Sequence, residues 1–179
     1  MTRTTTHRRI AALLLALGLV LGAASPAAAQ TQAWQCAPFA RMISGLQLFG
    51  AAASWWGQAV GKYMQGSTPR IGSVLVFKAT EGMRSGHVAT VSQIVSDRII
   101  KVTHANWSII NGRRGQVERD VTVVDASEKG DWSKVRVWYK PINDIGIKSY
   151  PVYGFIYAGA KAAAAAVEAP RLALETKSL

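Results

Sequence analysis

Residues 86–106 read GHVATVSQIVSDRIIKVTHAN, and the period of this stretch decides the fold. His87, Ala89 and Val91 fall on one side of an extended chain, and so do Ile100, Val102, His104 and Asn106, the alternation of β-strands. If the two residues Ser96-Asp97 close the hairpin, Val95 pairs with Arg98 and paired numbers sum to 193. His87 then lies opposite Asn106, and Ala89 opposite His104, all on one face. His104 becomes a diagonal neighbour of His87 at roughly 7–8 Å along the backbone, a gap that long side chains bridge. Any even loop keeps this shared face, whereas an odd loop without a compensating bulge separates the two imidazoles.

Working outward, residues 73–77, 119–125 and 134–140 also read as strands, rich in Val and Ile and separated by Gly, Asn or Asp. Residues 149–157 are expected to add a last edge segment, because Pro151 argues against a central strand. Before the strands the period is helical. Phe39, Met42, Ile43 and Leu46 stand at i, i+3, i+4 and i+7, predicting a helix over 37–46 with Pro38 in its first turn and Cys36 at its N-terminus. A second helix is expected over 54–64, burying Trp55, Trp56, Ala59, Val60 and Tyr63, before Gly66-Ser67-Thr68-Pro69 ends the helical part. The fold class is α+β, with N-terminal helices packed on an antiparallel sheet. The face carrying both histidines is expected to meet the Cys36 helix.

The first residues read differently. Arg3, Arg8 and Arg9 precede an apolar run from Ile10 to Leu21, Ser25-Pro26 breaks it, and Ala27-Ala28-Ala29 offers a small-residue cleavage site. This is the layout of a bacterial secretory signal peptide over 1–29, too short to span a bilayer. A domain over 30–157 and an alanine-rich, mobile tail over 158–179 are expected to follow, in a periplasmic or secreted protein. The 179 residues carry 21 Lys plus Arg and 10 Asp plus Glu, a formal charge of +11. Removing 1–29 takes three arginines and no acid, leaving 150 residues at +8. That charge suits an anionic envelope polymer, and no run of five or more bases points to nucleic acid. No stable membrane anchor and a monomeric state are expected. An apolar fraction of 49% excludes a disordered chain, and a single cysteine excludes an internal disulfide and a Cys-only zinc cluster.

Three groups therefore converge: a thiol at a helix N-terminus, an imidazole, and a second imidazole beside an amide. A helix N-terminus and an adjacent histidine lower a thiol pKa, and a thiol–imidazole pair oriented by a third polar group is the general device of nucleophilic acyl transfer. On periodicity alone the plainer reading is the stronger: a lone cysteine as a small buried hydrophobe, and strand histidines as satisfied core residues.

A resemblance changes that balance. Gln35-Cys36, Phe39-Ala40-Arg41, Gly50 with Trp55-Trp56, Ala59, Gly61 and Tyr63, the run 69–77, Gly86-His87-Val88-Ala89 and His104-Ala105-Asn106-Trp107 together resemble a CHAP domain. These are cysteine, histidine-dependent amidohydrolases/peptidases related to NlpC-type and papain-like folds. The resemblance implies Cys36 as nucleophile and His87 as general base, then acid. Many such domains carry Glu where His104 stands, so the set is more similar to a Cys-His-His arrangement. His104 is expected to orient His87, with Asn106 the papain-like alternative and Asp125 a distant third. The Cys36 backbone N–H, helped by Gln35, would hold the oxyanion. Trp55, Trp56 and Trp107 would line a substrate groove, the alternative for each being core packing. Some relatives hold calcium through an acidic loop before the cysteine; residues 30–34 have no acid, so no metal and no cofactor are expected. The implied function is a secreted cysteine amidase or endopeptidase of peptidoglycan, acting through a thioester. A non-catalytic envelope-binding or scaffolding module on the same fold is the competing reading, and an antibacterial toxin of the same chemistry a third.

Overall fold

The computed structural model describes residues 32–159. The leader expected over 1–29, and the tail beyond residue 159, lie outside the described residues. Helix α1 (Cys36–Ser44) stops where Gly45 takes a left-handed conformation and its N–H bonds the Arg41 carbonyl, a helix-ending motif. A 3-10 turn (Ala52–Ser54) runs into the short helix α2 (Trp55–Ala59). The expected helix over 54–64 is thus cut to its first half, because the chain leaves the helical region at Val60 and Met64 already belongs to strand β1 (Met64–Gly66).

The remaining strands are β2 (Val74–Phe77), β3 (His87–Ser96), β4 (Ile99–Ala105), β5 (Val117–Asp125), β6 (Lys134–Tyr139), β7 (Asp144–Ile145) and β8 (Tyr150–Tyr157). They form one antiparallel sheet in the order β1-β8-β2-β3-β4-β5-β6-β7, and β8 also pairs with β6. That extra pairing closes β8, β2, β3, β4, β5 and β6 into a barrel-like arrangement. The class is α+β, with few helices and a mostly antiparallel sheet.

Strand β8 is not the expected edge segment, since β1 and β2 flank it. Proline is tolerated because Pro151 sits where the strand changes partners. Tyr150 and Pro151 face Val135 and Lys134, and from Val152 on the strand pairs with β2. Pro151 has no N–H to offer a ladder, while its carbonyl accepts from the Lys78 N–H at 2.9 Å.

The hairpin register has a more consequential detail. Near the site Thr90 faces Thr103 and Val91 faces Val102, the sum of 193 expected. At the turn Ser96 faces Ile99, so Asp97-Arg98 closes the loop, and two bulges in β3 absorb the difference. Each bulge shifts pairing by one residue; two restore the parity, and His87 and His104 stay on one face.

That face looks into the barrel. Ala89, Val91, Ile100 and Val102 share their core cluster with Leu75, Phe77, Trp107 and Phe155. The helical residues Ala37, Ala40, Trp55 and Ala59 cluster instead with Val74, Val76, Val88 and Ile156, and Phe39 and Ile43 with Ala105. Val88 and Ala105 are the neighbours of the histidines and point the opposite way. The expectation that α1 covers the histidine face is therefore corrected: β2, the first half of β3 and the end of β4 are buried on both faces, and apolar neighbours do not say which face a helix takes.

Candidate active site

Cys36 opens α1 and is partly buried beside the second core cluster. The backbone N–H groups of Val88, Ala37 and Cys36 itself are near enough to favour its thiolate. The thiol thus meets β3 at the residue following His87. Burial pushes the Cys36 thiol above its ordinary pKa, and those three N–H groups pull it down by less. The expected lowering by the helix N-terminus is outweighed by desolvation, so the resting group is a thiol.

His87 sits at the start of β3, with 3% of its surface exposed. Gly86 places it. With φ at +67°, a Cβ on Gly86 would fall 2.7 Å from both Ala53 Cβ and the Phe77 carbonyl oxygen, so only glycine lets the 3-10 turn press against the entry to β3. The Ala53 N–H bonds the Ser85 carbonyl at 2.9 Å across this contact.

The two imidazoles touch. His87 Nε2 lies 3.0 Å from His104 Nδ1, and one proton serves that contact. For His87 Nδ1 to accept a proton from a thiol, Nε2 must be the donor and His104 Nδ1 the acceptor. His104 then carries its own proton on Nε2, which is buried without a hydrogen-bond partner among the described residues. Burial holds His104 down to about 3. Burial first, then His104, then the Arg114 charge hold His87 well below the usual histidine range. Both rings are neutral at physiological pH, and the pair reads as a neutral base backed by a neutral acceptor.

Trp107 braces both rings. Its ring centroid lies 4.9 Å from that of His87, 5.6 Å from His104 and 5.1 Å from Tyr150, while its Nε1–H donates to the Trp138 carbonyl at 3.2 Å. Trp107 is 7% exposed, a wall of the site more than an open platform. Trp55 is fully buried in the helical core, the place that the core-packing alternative gives it. Trp56 is only half-buried and stacks on Tyr153.

Among the described residues Asn106 makes no hydrogen bond to His87. Strand β4 ends at Ala105, Asn106 turns to φ +66°, and its Nδ2 donates to Gln35 Oε1 at 2.8 Å. The turn takes its side chain out of the alternation that placed it opposite His87. What Asn106 orients is the Gln35 amide, one residue before the thiol, leaving Gln35 Nε2 to donate elsewhere. Asp125 is further removed. Its buried carboxylate accepts from Arg98, Ser127 and the Trp132 N–H, pinning the loop between β5 and β6.

Residues that strand and helix periods did not single out complete the surroundings. A cavity of about 580 Å³ adjoins the histidines through Trp107 and is also lined by Arg114, Lys148, Tyr139 and Tyr150. Arg114 lies in the loop between β4 and β5, which has no periodic signal, and Tyr150 is visible in the sequence only as part of the segment 149–157. Among the described residues no three His, Cys, Asp or Glu side chains gather as a metal would require.

No curated protein matches the chain. Residues 27–106 match the model of the CHAP domain; the match spans Cys36, His87, His104 and Asn106 and stops before β5. Over these residues the chain is similar to the CHAP domain, the family that Gln35-Cys36, Gly86-His87 and His104-Ala105-Asn106 resemble.

Proposed function

We propose that this chain is a secreted or periplasmic cysteine amidase or endopeptidase that cleaves amide bonds of peptidoglycan through a thioester. The observation that carries the reading is the contact of His87 Nε2 with His104 Nδ1 beside the strand residue that meets the Cys36 thiol. The CHAP match, whose family is one of amidohydrolases and peptidases, supports it independently. The helices at the N-terminus act in this reading as in papain-like folds, carrying the nucleophile to the sheet.

The chemistry follows from the neutral pair. As the Cys36 sulfur attacks the amide carbon, its proton passes to His87 Nδ1, and the carbonyl oxygen becomes an oxyanion. The Cys36 N–H and the Gln35 amide, steadied by Asn106, donate to that oxygen; one such donor contributes roughly 10²–10³ in rate. His87 returns the proton to the leaving nitrogen as the C–N bond breaks, leaving a thioester and a free amine. Water then attacks the thioester, His87 takes its proton, and the acid and the thiol are released. Acid–base help of this kind contributes roughly 10²–10⁴. His104 accepts from His87 Nε2–H throughout and fixes the tautomer that makes Nδ1 the base.

Incubation with purified sacculi and mass analysis of the soluble fragments tests the reading. New free amino groups without new reducing sugar ends are expected. New reducing ends without new amino groups would show a glycosidic bond cut and contradict it.

A further inference from the structure

The cavity beside Trp107 has a one-sided charge. Two of its lining residues, Arg114 and Lys148, are cations, none is Asp or Glu, and its walls are otherwise aromatic and aliphatic. Lys148 Nζ is held 5.4 Å above the Tyr150 ring. Arg114 is exposed and makes no ion pair or side-chain hydrogen bond among the described residues. The backbone beside it is anchored. The adjacent Gly115, at φ +106°, accepts the Trp34 N–H on its carbonyl at 2.8 Å, and a Cβ there would fall 2.9 Å from Ala33 Cβ. The segment leading to Cys36 therefore anchors the loop that carries Arg114.

We infer that this cavity is a subsite for a carboxylate of the substrate, with Arg114 as the residue that reads it. The inference rests on the proposed hydrolase reading and narrows its substrate to peptides with a free carboxylate near the scissile amide. A planar guanidinium without a partner among the described residues, in a cavity also lined by Trp107, Tyr139 and Tyr150, suits a carboxylate on a short aliphatic stem. The Arg114 charge is felt at both His87 and Tyr150, which sets the subsite next to the reacting groups. An acid in this place would repel such a substrate, and none lines it.

Binding to the Cys36→Ala variant tests this without any turnover, so a chain that hydrolyses nothing would sink the enzyme reading and leave this test standing. The probe is a synthetic stem tetrapeptide as the free acid, compared by calorimetry with the same peptide carrying carboxamides. The free acid is expected to bind about 10- to 100-fold tighter. Arg114→Gln, added to Cys36→Ala, is expected to erase that preference with the circular dichroism unchanged, and Arg113→Gln, on an exposed cation outside the cavity, to keep it. Equal binding of the two peptides would overturn the inference, as would a preference that survives Arg114→Gln or falls equally with Arg113→Gln.

Discussion

At the scale of single residues, the site differs from an ion-paired thiolate. Cys36 is pushed up by burial and His87 is held down by burial and its neighbours, so the proton stays on sulfur until substrate arrives. Iodoacetamide should accordingly alkylate Cys36 slowly at neutral pH, with a rate still climbing above pH 9; a rate already flat at pH 6 would show a preformed thiolate. The partner of His87 sets the other limb. With neutral His104 as acceptor, kcat/KM should hold as pH falls through 6. In His104→Glu a carboxylate would stabilise the imidazolium, raise the His87 pKa and move the acid limb to higher pH. His104→Ala should lower kcat more than Asn106→Ala, which loosens only Gln35. These assignments were partly legible. Alternation alone put both histidines on one face, but nothing in it shows that Asn106 takes a positive φ, since that conformation is set where the strand ends.

At the scale of elements, the approach of the 3-10 turn to β3 depends on Gly86. Gly86→Ala adds a methyl 2.7 Å from Ala53 Cβ and the Phe77 carbonyl oxygen, at a φ unfavourable to alanine. A loss of about 1–3 kcal/mol is expected from urea unfolding, with activity falling further because His87 follows directly. The hairpin shows why parity was readable and detail was not. The sum of 193 holds around Val91 and Val102, while two bulges and a displaced turn separate it from Ser96 and Ile99. Bulges carry no period of their own. Strand β8 shows the converse: Pro151 marked an edge, and the structure placed it at a change of partners inside a closed sheet. Closure is a long-range pairing that a local pattern does not contain.

At the scale of the whole molecule, two buried neutral histidines tie stability to pH. Both have folded pKa values below their unfolded value near 6.5, His104 at about 3. Above pH 6.5 neither state binds the proton and the stability is fully present. Below it the unfolded chain takes up protons that the fold excludes, so stability falls as pH drops towards the folded values, by about 1.4 kcal/mol per pH unit for each histidine. Urea midpoints should fall between pH 7 and pH 4.5, and the slope should be shallower in His104→Gln; equal slopes would contradict the burial of a neutral ring. The helix-first, strands-after order and the barrel's apolar residues were legible because burial on a sheet leaves a period. The cavity carrying Arg114 was not, because it is assembled from β6, β8 and turns distant in sequence. The proposed chemistry stands or falls with Cys36 as the nucleophile of amide cleavage. Release of amino groups from sacculi by Cys36→Ala, confirmed as folded, tests it most directly: a loss of at least about 10⁴-fold is expected, and undiminished release would contradict it.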